Sequence, residues 1–193
     1  RVSSKVVPVI SSDTIWVGAD HLVEGDPEIR SWGLTDDPMF PPTFKFKVPE
    51  GAILLHSRNP KKVARTNFSL ITGEKLFALQ SRDESVLLTD FLLAVLQAPD
   101  FQNYAATRSG GSVNKFLNWR PTADYEFLLP PLDEQKRIVE ALRAAQLCVE
   151  TTRLALASAN ALLVSACVEL TAGEDNAPLE QVCEVLNSRR VPV

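Results

Sequence analysis

From Ile138 onward the chain steps 4-3-4-3 without interruption through Ile138, Leu142, Ala145, Val149, Thr152, Leu156, Ala159, Leu163, Ala166 and Leu170. Nine of these ten positions are apolar, and neither Pro nor Gly occurs between Leu132 and Ala172. A period of 3.5 sustained this long predicts one continuous helix with a heptad seam. At 1.5 Å per residue it would reach roughly 55–60 Å, more than the width of a small domain. Such a helix must lie against something besides its own globular neighbour.

The seam alternates in size. Leu142, Val149, Leu156, Leu163 and Leu170 recur every seven residues, with Ala145, Thr152, Ala159 and Ala166 between them. One small residue per heptad lets two backbones approach closely while the large ones fill the remaining space. Parallel dimers favour a β-branched residue at one seam position and Leu at the other. The pattern here points instead to a tight antiparallel pair. Only one such helix is encoded, so its mate is expected from another copy or from sequence outside this chain.

With 193 residues and 45% apolar content, the chain can bury one ordinary core besides the helix. No uninterrupted apolar run of 18 residues and no signal peptide is visible, so no membrane is expected as a partner. Cys148, Cys167 and Cys183 have no ligand spacing, and their odd number suggests reduced thiols in the cytoplasm. The first residue is Arg1, within an apparent strand, which suggests a piece of a longer protein.

The net charge of −4 argues against nucleic acid, but its distribution does not. Between residues 51 and 73 there are Arg58, Lys61, Lys62 and Arg65 and no acid. Between 101 and 123 there are Arg108, Lys115 and Arg120, again without an acid. A fold that brought both windows to one face would present a basic surface.

Residues 1–129 read as an α/β (α+β) domain with a twisted mixed sheet and helices. Strands are expected at 6–10 and 14–17, and at Phe44, Phe46 and Val48, which alternate with Lys45 and Lys47. A short apolar strand at 53–56 follows the Pro49-Glu50-Gly51 turn and runs into a polar loop at 57–62. Residues 68–72 and 76–80 flank Gly73-Glu74 as a hairpin. Helices are expected at 85–97 and after Pro99, then a Gly-rich loop around Gly110 and a strand at 125–129. Pro130-Pro131 lead into the long helix over 130–172, whose Asp133 and Glu134 suit the positive end of its dipole. Residues 173–193 would be a linker and the start of a second domain.

Leu129-Pro130-Pro131-Leu132-Asp133-Glu134-Gln135-Lys136-Arg137-Ile138-Val139 resembles the spacer-helix entry of type I restriction-modification specificity subunits. The order of strand at Gly51-Ala52-Ile53-Leu54, Arg58 loop, helix and Gly110-Gly111 loop is similar as well. So is the stretch from Leu179-Glu180-Gln181-Val182 to Arg190-Val191-Pro192-Val193, which resembles the entry into a target-recognition domain. The Leu-Pro-Pro-Leu-x-Glu-Gln block is the specific part, and residues 1–48 match loosely. The resemblance implies a recognition domain for double-stranded DNA followed by a spacer helix. A second spacer helix, from the same full-length chain or from a second copy, would pack antiparallel against it. Methyltransferase subunits carrying S-adenosylmethionine and a restriction motor subunit using ATP and Mg would be partners, with no cofactor in this chain. Family members are about twice this length, which leaves open a bipartite or a palindromic target.

In such a domain Lys61, Lys62, Arg65 and Lys115 suit phosphates. Arg58, Asn59, Arg108, Asn114 and Arg120 are candidates for base readout, Arg with guanine and Asn with adenine. Ser109, Gly110, Gly111 and Ser112 would form a loop whose glycines let backbone approach the duplex. Phe116, Trp119 and His56 are read as packing residues. There is no Walker A loop, Gly-rich cofactor fingerprint or Asn-Pro-Pro-aromatic methylation motif, and Asn59-Pro60-Lys61 only echoes the last. Asp124 with Glu134-Gln135-Lys136 mimics a nuclease pattern, but the second group falls in a first helical turn where acids are expected anyway. No catalytic or metal-binding residues are assigned. The alternatives are the recognition domain of a single-chain restriction–methyltransferase fusion and a coiled-coil adaptor that never touches DNA.

Overall fold

A computed structural model describes residues 3–111 and 115–171. By compactness the chain divides into Arg1–Arg143 and Ala144–Val193. The first unit holds eight short strands in two sheets among its described residues. β1 (Ser4–Lys5), β4 (Phe46–Val48), β7 (Leu70–Thr72), β2 (Ile15–Val17) and β3 (Gly33–Leu34) form a mixed sheet in that order. Its β2–β7 pair is parallel and its other pairs are antiparallel. The second sheet is antiparallel, in the order β6 (Val63–Arg65), β5 (Ile53–His56), β8 (Leu76–Leu79).

β5 is the centre. All four of its residues are buried, because both faces of the strand are covered. Leu54 joins Val17, Val48 and Leu70 in one apolar cluster, while Ile53 and Leu55 join Val63, Leu93, Leu96, Phe101 and Leu117 in another. A continuous apolar run instead of an alternating one is what a doubly covered strand requires. Phe46 and Val48 alternate with exposed Lys47 on β4, as a half-buried strand does.

Three expectations are corrected. The segments around Gly73 are strands but not a hairpin. β7 pairs with β2 and β4, whereas β8 pairs with β5, so the chain changes sheets at Gly73. A Cβ at Gly73 would lie 2.7 Å from the Phe44 ring, so the glycine serves this close crossing. Residues 6–10 are not a strand after β1: Pro8 lacks the N–H a ladder needs, and Val7, Val9 and Ile10 are exposed. Residues 125–129 are likewise unpaired. Tyr125 is held by ring contacts, 5.1 Å from Phe101 and 4.9 Å from Tyr104, without ladder hydrogen bonds.

Helix α1 (Thr89–Gln97) starts later than expected, because Asp83 first folds 83–87 into a turn through the Ser85 and Val86 amides. Helix α2 (Pro99–Arg108) follows at once, with Pro99 at its first turn. A five-residue helix, α3 (Trp119–Ala123), precedes the long helix α4 (Leu132–Thr171), which spans 40 residues.

The Leu-Pro-Pro-Leu-x-Glu-Gln block has a physical purpose. Gln135 is fully buried, accepts from the Leu88 amide at 2.9 Å, and donates to the Val86 and Pro130 carbonyls at 2.9 Å each. It clamps the first turn of α4 to the segment entering α1. Val139, one turn on, is buried beside it in sequence. Arg143 then forms an ion pair with Asp90 of α1, which also receives Arg65 of β6.

Candidate nucleic-acid interface

β5 ends at His56 because Ser57 turns its backbone to two partners. The Ser57 amide donates to the Lys75 carbonyl at 2.9 Å, and its carbonyl accepts from the Leu117 amide at 2.6 Å. That residue therefore stitches the first acid-free window to the second. Gln102 adds a tie from α2, donating to the Pro60 carbonyl at 3.0 Å.

The 57–62 loop is closed by the His56 amide on the Lys62 carbonyl at 3.0 Å. Within it the Asn59 carboxamide oxygen accepts from the Lys61 amide at 3.2 Å, a local turn that Asn favours. Its amide nitrogen donates to Glu24 at 2.6 Å, so Asn59 shapes the loop. Lys62 donates to the Ala19 carbonyl at 2.9 Å, which fixes its charge at the strand end. Arg58 and Lys61 are exposed.

His56 records the resulting field. Burial lowers its imidazole pKa most, and the positive charges of Lys62, Arg58 and Lys75 lower it further. Its Nδ1 is buried and has no hydrogen-bond partner. Lys75 is a member of this basic group that sequence reasoning missed; it follows Glu74, just outside the acid-free window.

On the other side, Arg108 lies over the Tyr104 ring at 5.5 Å, at the end of α2. Ser109 donates its hydroxyl to the Ala105 carbonyl at 2.8 Å and so finishes the helix. The Gly110 and Phe116 backbones exchange hydrogen bonds of 3.0 and 2.9 Å, closing the next loop. Gly111 sits at φ +107°, which favours glycine. Lys115 and Arg120 are exposed. Ser112 and Asn114 lie outside the described residues, as does the stretch at 179–193.

Arg65 stands apart from this group. Its Nε donates to the Gly51 carbonyl at 3.2 Å and its guanidinium pairs with Asp90, so it is spent inside the fold. Trp119 sets its edge on Phe77 at 5.8 Å and stays 44% exposed, while Phe116 is 42% exposed. Neither is the core residue expected. Among the described residues no three His, Cys, Asp or Glu side chains gather as a metal site.

No residue of α4 between 140 and 169 is buried. The seam residues Leu142, Ala145, Val149, Thr152, Leu156, Ala159, Leu163 and Ala166 are all exposed; the side chain of Leu170 lies outside the described ones. A second stripe was missed. Leu147, Leu154, Ala161 and Val168 also recur every seven residues and are exposed. They follow each small seam residue by two, at the heptad position opposite the seam, where a simple coiled coil is polar. With both stripes apolar, a stretch of α4 is long and apolar enough to cross a membrane by length and composition alone. Thr, Ser and Asn break the uninterrupted apolar run there without removing the average.

The fold is that of a type I restriction-modification specificity subunit: a mixed sheet with helices, followed by one long helix. The crystal structure of an HsdS subunit from Thermoanaerobacter tengcongensis superposes with a TM-score of 0.61, at 20% identity, over 86% of this chain and 45% of that one. A second solved chain, from work on complex assembly and conformational transition of the type I R-M system, gives 0.60 at the same identity and coverage. This chain thus spans under half the length of these two. No protein-family model and no curated protein matches it.

Proposed function

We propose that the chain is a non-catalytic DNA-specificity module of a type I restriction-modification system, acting in the cytoplasm. One observation carries the reading: on an HsdS fold, both acid-free windows converge on Ser57. Arg58, Lys61, Lys62, Lys75, Lys115 and Arg120 would meet the duplex, with Lys residues setting register on phosphates and Arg reading bases. Arg108 and the Ser109–Gly111 stretch would line the second loop.

The α4 seam would pair antiparallel with a second spacer helix, from a longer natural chain or from a second copy. The opposite stripe of Leu147, Leu154, Ala161 and Val168 would dock methyltransferase subunits. S-adenosylmethionine, and ATP with Mg, would be held by those subunits and by a restriction motor subunit. The heptad repeat on both faces favours helical partners over a bilayer for this apolar surface.

The test is fluorescence anisotropy of the full-length protein with its methyltransferase on a random duplex pool, followed by selection. A short enriched motif is expected, with log K falling against log salt by about 0.9 per neutralised phosphate. No retention at low salt would leave the adaptor reading in its place.

A further inference from the structure

Residues 116–118 form an extended segment whose sides have opposite environments. Leu117 is fully buried among β5, β6, α1 and α2 side chains, and its amide is tied to the Ser57 carbonyl at 2.6 Å. Period-two alternation then turns Phe116 and Asn118 to the other side, and both are exposed.

The backbone that presents the Phe116 ring is fixed. Its amide and carbonyl both bond Gly110, and the next residue is locked in the core. Single exposed aromatics are ordinary, but one whose backbone is pinned on both sides has less backbone ordering entropy left to lose on binding. More than half of its surface is covered, so it offers a patch and cannot be driven between base steps as a wedge.

Asn118 has an unusual position. It is the N-cap of α3, where an Asn side chain normally accepts from the N2 or N3 amide, yet it makes no capping hydrogen bond. The N3 residue is Pro121, which has no N–H to give. Asn118 is exposed, two residues from Phe116 and about 6–7 Å along an extended backbone.

These two chemistries match one base pair. In the major groove the only apolar group on a base edge is the thymine methyl, and Asn pairs bidentately with adenine N6 and N7. We propose that Phe116 and Asn118 together read an A·T pair, Phe116 against the thymine methyl and Asn118 on adenine. This rests on the DNA-recognition reading above.

The experiment starts from the motif that the full-length protein and its methyltransferase select. Each thymine is replaced in turn by deoxyuridine, and each adenine by 7-deazaadenine. Loss of one methyl should weaken binding about fourfold, the worth of one buried carbon. Loss of one N7 acceptor should weaken it about tenfold, and the two responding bases should belong to one pair. Phe116→Ala should abolish the thymine response and spare the adenine response, Phe116→Leu should restore part of it, and Asn118→Ala should do the reverse. A selected motif with no responding thymine, responses in separate pairs, or variants that keep both responses would overturn the inference and leave DNA recognition standing. Failure to select any motif would remove the DNA reading itself, and this inference with it.

Discussion

In the unit ending at Arg143, Ile53, Leu54, Leu55, Val63 and Phe101 have no exposed surface, whereas on α4 beyond it Leu147, Leu154, Leu156 and Leu163 are each at least 59% exposed. Apolar side chains of the same kind are handled in opposite ways within one chain. The first region satisfies its own burial through two sheets and three helices. The second carries large apolar residues at two heptad stripes that are exposed among the described residues. Stability of the first is an intramolecular property; under the proposed helix pairing, order along the second would depend on association, and hence on concentration.

Charging the seam breaks the comparison most completely. Leu156→Asp with Leu163→Asp should abolish assembly in light scattering coupled to gel filtration, while urea unfolding of the compact unit stays unchanged. Leu154→Asp on the opposite stripe should leave helix pairing intact and remove methyltransferase co-elution.

The reciprocal change is Leu117→Ala, which empties a fully buried site. It should destabilise the compact unit by about 3 kcal/mol in urea unfolding without altering assembly. Gln135→Ala tests the joint between the two behaviours. It leaves the Leu88 amide and the Val86 and Pro130 carbonyls without their partner, and should cost about 2 kcal/mol in the same measurement.

The smallest effect sharpens the electrostatic side. The pKa of His56 is lowered in the folded chain, first by burial and then by Lys62, Arg58 and Lys75. The unfolded state therefore binds the proton first. Stability should be full above the ordinary imidazole value of about 6.5 and fall as pH drops from there toward the lowered folded pKa. His21 shifts in the same direction through burial, so the difference between wild type and His56→Gln in pH-dependent melting isolates the strand-end contribution.

Much of this was legible in the sequence. The unbroken apolar run of β5, the Lys-separated apolar residues of β4 and the uninterrupted heptads of α4 each mark their element in the sequence. The two acid-free windows were visible too, and Ser57 does join them. What was hidden depends on distant partners. Nothing near Gly73 tells which strand β7 or β8 will pair with, so a sheet change looks like a hairpin. Arg65 looks like a phosphate ligand until Asp90, 25 residues away, takes its guanidinium. The three-residue β6 is too short to show a period at all. The stripe opposite the seam did have a signal, the seven-residue spacing of Leu147, Leu154, Ala161 and Val168, but the stronger seam masked it.

Gln135 reaches only main-chain atoms: one amide of residue 88 and the carbonyls of residues 86 and 130. A joint of that kind asks for a backbone path and is indifferent to the side chains along it. At this one joint the body attached to α4 can therefore diverge in sequence, provided a loop of the same course passes the glutamine, whereas the Arg143–Asp90 pair one helical stretch further on does ask for a particular side chain. Seating bodies of different sequence on one helix is then a mechanical exchange at the level of the backbone.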